Sequence, residues 1–328
     1  MMKRSQLTGL ASAATGLALL LTACGSDADA TDTDDAASSV TVEHAMGSTD
    51  VACTPQKVVT LGQGQTDTVL ALGVTPVGVV SPWTDEWYEY LPDEVEDATV
   101  VGTEIEPDLE TIATLQPDVI LGSKLRHEAL YDQLSQIAPT VFSETIGVAW
   151  KDNVPLWAEA LCLEDEGAQI LAEYEAHAQQ VADGLAEAGL ADTEASMIRF
   201  MPDQVRIYLT GFPGSVMRDA GLQRPAAQQV DDWENSEQLI EISEERIPEM
   251  DGDVVFVMVS EQWYSESGSQ ETEENMSKWT STELWQQLSA VQNDQVHEVN
   301  ESHWNLGGGI GAARAMLDDL GEYFLGQE

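Results

Sequence analysis

The chain has 328 residues, with 59 Asp and Glu against 13 Lys and Arg, a formal charge of −46 at pH 7. At 43% apolar residues it carries enough hydrophobic surface to fold, and its length suits about two domains of roughly 100 to 200 residues each. So negative a chain repels nucleic-acid phosphates and anionic lipid alike, which excludes binding through a broad basic patch and leaves any membrane role to a separate anchor.

An anchor is legible at the N-terminus, where Lys3 and Arg4 precede an apolar stretch from Leu7 to Leu21 and the tetrapeptide Leu21-Thr22-Ala23-Cys24. The stretch is shorter than the about 20 residues a spanning helix needs, and a small residue stands before the cysteine, the pattern of an export signal. Leu-Thr-Ala-Cys resembles a bacterial lipobox, which implies cleavage before Cys24, lipid on its thiol, and a chain held on the outer face of the cytoplasmic membrane. An uncleaved anchor or a coincidental cysteine is the alternative. Loss of residues 1–23 removes Lys3, Arg4 and no acid, taking the net charge to −48. Residues 24–40 read as an acidic Ser/Thr/Ala tether, because nothing large and apolar lies between Gly25 and Ser39 to offset the entropy of ordering. Cys53 and Cys162 then face an oxidising compartment, where two thiols more often pair than stay free. They are a disulfide candidate, against the reading of two separate half-buried thiols.

Short β-branched runs follow: Val58 to Leu61, Val77 to Val80, Asp118 to Leu121 and Thr140 to Phe142, alternating with helical patterns. That alternation predicts βαβ units over an N-terminal lobe, residues 41–151. From about Asn153 to Gly189 strand signals stop, and Trp157, Leu161, Ile170, Leu171, Tyr174 and Val181 recur at mixed helical spacing, which predicts one long bridging helix over 152–190. Strand runs return at Met197 to Phe200, Val205 to Tyr208, Val254 to Val259 and Val296 to Val299, with a turn at Pro202-Asp203, and define a C-terminal α/β lobe, residues 191–328. A weak internal echo relates the lobes. Asp108-Leu109-Glu110-Thr111-Ile112 leads to Asp118-Val119-Ile120 as Ser243-Glu244-Glu245-Arg246-Ile247 leads to Asp253-Val254-Val255. Asp108 and Ser243 would be N-caps, with Glu110 and Glu245 in the first turns, where a carboxylate gains from the helix dipole with or without a further function. Pro248 makes the second helix short or irregular.

Enzymatic and metal motifs are missing from the sequence. The histidines, His44, His127, His177, His297 and His303, form no HExxH pair, and no Cys/His cluster has zinc spacing, so direct metal ligation is not expected. Ser215 lacks the GxSxG elbow. The run Gly307-Gly308-Gly309-Ile310-Gly311 lacks a Walker lysine and reads as the entrance to a helix. The informative residues are the scarce cations. Lys124 and Arg126 follow a strand end, and Arg199 and Arg206 lie on the strands that open the second lobe. Positions at carboxyl strand ends line the crevice of an open α/β sheet, and guanidinium forks there suit an anionic or carbonyl-rich ligand. The competing reading pairs each Arg with a neighbouring carboxylate. Trp83, Trp87, Tyr88, Tyr208, Trp263, Tyr264 and Trp304 sit in or near post-strand segments, as pocket walls or as packing.

The ordered strings Pro55-Gln56-Lys57-Val58-Val59, Leu72-Gly73-Val74-Thr75-Pro76-Val77-Gly78, Leu115-Gln116-Pro117-Asp118-Val119-Ile120 and Ile137-Ala138-Pro139-Thr140-Val141 resemble the iron-siderophore-binding lipoproteins of bacterial ABC importers. The resemblance runs from about Val42 to the C-terminus. Leu125-Arg126-His127-Glu128, Arg199-Phe200-Met201-Pro202, Arg206-Ile207-Tyr208 and Trp304 before the glycine run look most like the hydroxamate and citrate-hydroxamate binders. The resemblance implies an α/β fold of two Rossmann-like lobes joined by one long rigid helix, a monomer without enzymatic activity or cofactor, and a ferric siderophore held in the interlobe cleft. Its ligand residues would be Arg126, Arg199, Arg206, Tyr208, Trp83 and Trp304, with Lys124 and Trp87 as further candidates. Iron would be bound only as its siderophore complex, whose oxygens fill the ferric shell. Glu110 and Glu245 match the family's glutamates that dock on the two permease subunits. The acid excess exceeds the family's norm and suggests a saline or alkaline exterior. Haem or a cobalamin-like corrinoid on the same scaffold, with His303 beside Trp304 as a candidate axial ligand, and a secreted α/β hydrolase are the alternatives.

Overall fold

The computed structural model describes residues 38–233, 235–260 and 268–326. The signal, Cys24, most of the tether, Trp263 and Tyr264 lie outside the described residues. The chain enters through an antiparallel hairpin, β1 (Ser39–His44) and β2 (Gly47–Ala52). It starts inside the last two residues assigned to the tether. Its two inward valines, Val42 and Val51, are fully buried, and Ala45 N–H donates to the Phe142 carbonyl at 3.0 Å.

The first sheet contains β3 (Val58–Thr60), β4 (Gly78–Val79), β5 (Thr99–Val100), β6 (Val119–Ser123) and β7 (Thr140–Ser143), all parallel, in the order β5-β4-β3-β6-β7. Helices α1 (Gln63–Ala71), α2 (Leu109–Leu115), α3 (Lys124–His127) and α4 (Tyr131–Leu134) belong to its connections. Strand order reverses at β3, so the segments after β3 and β6 diverge and leave a crevice at the carboxyl edge, where open α/β sheets take their ligands.

The connection to the second half is helical, as the spacing predicts, but made of two pieces, α5 (Trp150–Leu161) and α6 (Glu164–Glu187). Cys162 ends α5 in the left-handed region at φ 55°, and a disulfide joins it to Cys53 just past β2, with Cα atoms 5.3 Å apart. α6 buries Ile170, Tyr174, Ala178, Val181 and Leu185, a stripe at three- and four-residue spacing that faces the core.

The second sheet is mixed, in the order β10-β9-β8-β11-β12. β8 (Ala195–Phe200) and β9 (Val205–Tyr208) form a hairpin around Pro202-Asp203, β10 (Leu239–Ile242) adds antiparallel to β9, and β11 (Val254–Val259) and β12 (Val296–Glu298) run parallel to β8. β8 and β11 are central and almost wholly buried, and β11 reads as a continuous apolar run for that reason, whereas β8 carries Ser196 and Arg199 among its apolar residues. α7 (Gly211–Asp219), α8 (Gly268–Thr280), α9 (Glu283–Gln286), α10 (Ser289–Gln292) and α11 (Ile310–Leu325) complete this half. Gly309 precedes α11 as its N-cap, so the glycine run is a helix entrance. The internal echo is partly realised. Asp108 caps α2, accepting from Glu110 N–H at 3.0 Å and Thr111 N–H at 3.2 Å. Ser243 opens only a 3₁₀ segment, Glu244–Met250, containing Pro248, and its hydroxyl makes no capping bond to the backbone.

Candidate functional site

A cavity of about 360 Å³ lies between the two sheets, within the usual size range of small-molecule sites. The first half contributes Gln63 from the start of α1, Trp83 after β4, Glu104 after β5 and Arg126 in α3. The second half contributes Arg199 of β8, Arg206 and Tyr208 of β9, and Asn305. Trp150 and Trp157, seven residues apart on α5, line it together with Phe212 of α7.

Arg199 and Arg206 are register partners on β8 and β9, and Arg206 is opposite Glu241 on β10. Directly opposed residues share a face, so two guanidinium groups stand side by side, an arrangement that needs counter-charge. Glu301 pairs with Arg199, both side chains being under 10% exposed, while Ser260 Oγ accepts from Arg199 Nη2 at 3.2 Å. Arg206 meets Glu241 at 3.3 Å on the more open side. Arg126, 41% exposed, donates from Nε to Glu104 at 3.3 Å. Both readings of the scarce arginines therefore hold at once: all three line one cavity, and each has a carboxylate partner.

Glu104 is the main residue that sequence reasoning missed. Burial raises its pKa, and Arg126, the Gln63 backbone N–H and the Trp83 side chain pull it back down. Behind it His127 is buried. Its Nδ1 lies 3.3 Å from the Ser123 N–H, which leaves Nε2–H to donate to the Glu104 carbonyl at 2.8 Å. Burial lowers the His127 pKa, so the ring is neutral at pH 7. Trp83 is fixed by its backbone N–H, which donates to the Tyr88 hydroxyl at 3.1 Å.

Part of the cavity floor is the approach of two helix entrances, α1 and the turn before α11. A Cβ on Gly64 would lie 2.7 Å from the Gly308 carbonyl oxygen, so only glycine permits the contact. Asp67, buried in α1, reaches across and accepts the N–H groups of Gly311 and Ala312 in α11.

Three expected ligand residues are elsewhere. Trp304 is 1% exposed, packs on Phe256 with ring centroids 4.8 Å apart, and donates its indole N–H to Asp319 at 2.7 Å. The π-helical turn Ser302–Leu306 aims it into the core and presents Asn305 and Leu306 to the cavity instead. Its neighbour His303 is bound to Asp319 at 2.7 Å, which occupies the nitrogen an axial ligand would use. Lys124 points to solvent and pairs with Glu144 at 2.8 Å, and Trp87 is partly exposed and does not line the cavity. Glu110 and Glu245 are exposed, one on each half, outside the cavity lining. Among the described residues no group of three His, Cys, Asp or Glu side chains is placed to hold a metal ion. The cavity offers guanidinium groups, amides and indole walls, the chemistry of an anionic ligand with flat or apolar portions.

The comparisons agree with that geometry. The chain is 38% identical over 314 residues to the probable siderophore-binding lipoprotein YfiY of Bacillus subtilis, covering 94% of each chain. It is 36% identical over 270 residues to the achromobactin-binding periplasmic protein of Dickeya dadantii, covering 81% of this chain and 85% of that one. Among solved structures, Staphylococcus aureus SirA complexed with staphyloferrin B superposes with a TM-score of 0.80 at 38% identity, over 86% of this chain and 97% of SirA. The periplasmic binding protein family model matches residues 58–302, and the chain belongs to that family.

Proposed function

We propose that this chain is the substrate-binding component of an ABC importer for iron, capturing a ferric siderophore in the cavity between its sheets and delivering it to the permease. The observation that carries the reading is the convergence of Arg126, Arg199 and Arg206, from both halves of the chain, on one cavity walled by Trp83, Trp150 and Trp157. An anionic chelate is recognised there by its organic shell, so iron arrives already wrapped and needs no protein ligand. The names of YfiY, of the achromobactin-binding protein and of SirA with staphyloferrin B support the siderophore class. Within that class the guanidinium array favours chelates bearing free carboxylates, citrate-based ones included, over purely hydroxamate ones. A Bacillus subtilis relative named for Fe(3+)-citrate, 30% identical over 284 residues, supports this. Lipid on Cys24 would hold the protein at the outer face of the cytoplasmic membrane, and Glu110 and Glu245 would meet the two permease subunits.

The test is quenching of intrinsic fluorescence, since three tryptophans among the described residues line the cavity. Saturable quenching by ferric citrate or ferric staphyloferrin B, stronger than by ferric hydroxamates, catecholates or haem, is expected. Folded protein that responds to no ferric chelate overturns the assignment, and a preference for haem favours the other ligand class.

A further inference from the structure

Glu104 is out of place in a site for anions. Among the described residues that line the cavity it is the one acid, it is 7% exposed, and the cation it holds, Arg126, is the most exposed of the three cavity arginines. The other two differ in kind. Their partners, Glu301 and Glu241, do not line the cavity, so those ion pairs present only their positive ends to a ligand.

An incoming carboxylate meets a conflict at Arg126 alone. To fork onto that guanidinium it must share with, or displace, the Glu104 carboxylate, and it leaves a second negative charge beside its own, on a carboxylate that is itself buried. Moving Glu104 away would break the bonds that hold it. Its carbonyl is held by His127 at 2.8 Å and its carboxylate by Trp83 and the Gln63 N–H. The remaining relief is neutralisation. Resting on the siderophore reading above, we propose that Glu104 is a proton-coupled specificity residue: it holds Arg126 while the cavity is empty, and takes up a proton from solvent when a carboxylate-bearing ferric chelate claims that guanidinium. Capture is then favoured by mild acid and opposed by alkali.

The groups that face Glu104 from the surrounding elements fit this role. Arg126 of α3 is the cation that favours the ionised form of Glu104 in the empty site, against burial, which raises its pKa. His127 of α3 stays neutral because burial lowers its pKa. Tyr88, after β4, is held protonated by burial and by the fields of Glu104 and Glu301. Trp83 and the start of α1 supply uncharged donors. Withdrawal of Arg126 toward a ligand therefore removes the one cation acting on this carboxylate among the described residues. By linkage, proton uptake makes affinity rise as pH falls from the Glu104 pKa of the loaded site to that of the empty site, by up to about tenfold per pH unit.

Titration calorimetry of full-length mature protein with ferric citrate and with ferric staphyloferrin B, in buffers of differing ionisation enthalpy and over a series of pH values, reads the protons taken up. Comparing wild type with Glu104→Gln at each pH cancels protonation of the chelate itself. The expected result is up to one proton more per ligand for wild type, and tighter binding by Glu104→Gln at alkaline pH with the two converging in acid. Trp83→Phe, which deletes a donor to the carboxylate, should move the uptake window to higher pH and keeps the test open if Glu104→Gln fails to fold. Binding with equal proton counts in wild type and Glu104→Gln, or an unmoved window in Trp83→Phe, overturns the proposal and leaves the siderophore reading standing. Absence of binding by both probes at every pH overturns the carboxylate reading, and this proposal with it.

Discussion

Asp67 and Gly311 are 244 residues apart in sequence, yet the Asp67 carboxylate accepts the Gly311 backbone N–H at 2.6 Å. The second oxygen takes the N–H of Ala312 at 2.8 Å. A side chain of α1 thus caps α11, whose own N-cap is glycine and supplies nothing. Glycines are required beside it, since a Cβ on Gly309 would lie 2.5 Å from the Asp67 Cγ. Burial pushes the Asp67 pKa up to about 6 despite those N–H groups and the charge of Arg314.

That cap predicts a pH-dependent variant. A folded-state pKa raised from an ordinary value of about 3.9 means that ionisation is resisted by the fold. The stability from the neutral form is complete below about pH 4 and lost as pH rises through about 6, a change on the order of 3 kcal/mol. Asp67→Ala leaves two N–H groups without their acceptor, costing about 1 to 3 kcal/mol. Denaturant unfolding should show its largest destabilisation at about pH 4, shrinking toward pH 7 as the wild-type carboxylate ionises. A difference independent of pH would refute the assignment.

The cavity arginines should separate binding from folding. Arg206 pairs with Glu241, which is 61% exposed, so Arg206→Ala removes a charge-assisted ligand contact and leaves its partner in water, at little cost to stability. Chelate affinity should fall by about 1 to 3 kcal/mol with an almost unchanged melt. Arg199 is 4% exposed and paired with a buried Glu301. Arg199→Ala strands that carboxylate and should cost about 3 to 5 kcal/mol of stability along with affinity. Fluorescence titration and thermal melts on the two variants decide the point.

These residues also show what can be read before a structure exists. Val205 to Tyr208 and Val254 to Val259 are strands at the predicted limits, the first because β-branched and aromatic residues follow a Pro-Asp turn, the second because it is an apolar run entered from Asp253. The strand Thr99–Val100 is two exposed residues long, and β1 and β2 each bury a single valine, so neither carries a periodic signal. The break at Cys162 is invisible because a left-handed cysteine has no local cue and apolar spacing continues across it. In the cavity, cations are legible because the chain has only 13 Lys and Arg, whereas Glu104 is one of 59 acids and stands out only by its burial. The direction of Trp304 is not legible because a π-helical turn sets it, and Trp150 and Trp157 do not stand out because a ring on a helix that faces both core and cavity reads as core.

The disulfide should matter to stability and not to binding. It closes a loop of 109 residues, for which chain entropy alone suggests about 4.7 kcal/mol and measured losses run about 2 to 5 kcal/mol. Neither Cys53 nor Cys162 lines the cavity. The double variant Cys53→Ser with Cys162→Ser should therefore unfold at lower denaturant while binding the same chelate with unchanged affinity. A parallel loss of affinity would mean that the break between α5 and α6 shapes the cavity wall.

Delivery to the permease should depend on two positions rather than on total charge. Glu110 and Glu245 are exposed, in the first turns of α2 and of the 3₁₀ segment Glu244–Met250. Against 59 acids, removing two barely alters the long-range field that governs encounter, so any large effect must be local. Glu110→Ala with Glu245→Ala should reduce chelate uptake in reconstituted membranes while leaving affinity in solution intact. The same charge removed at two other exposed sites, Glu94→Ala with Glu322→Ala, should leave uptake unchanged. Equal losses from both pairs would show that the permease senses only the overall negative surface, and reduced affinity in the first pair would contradict docking.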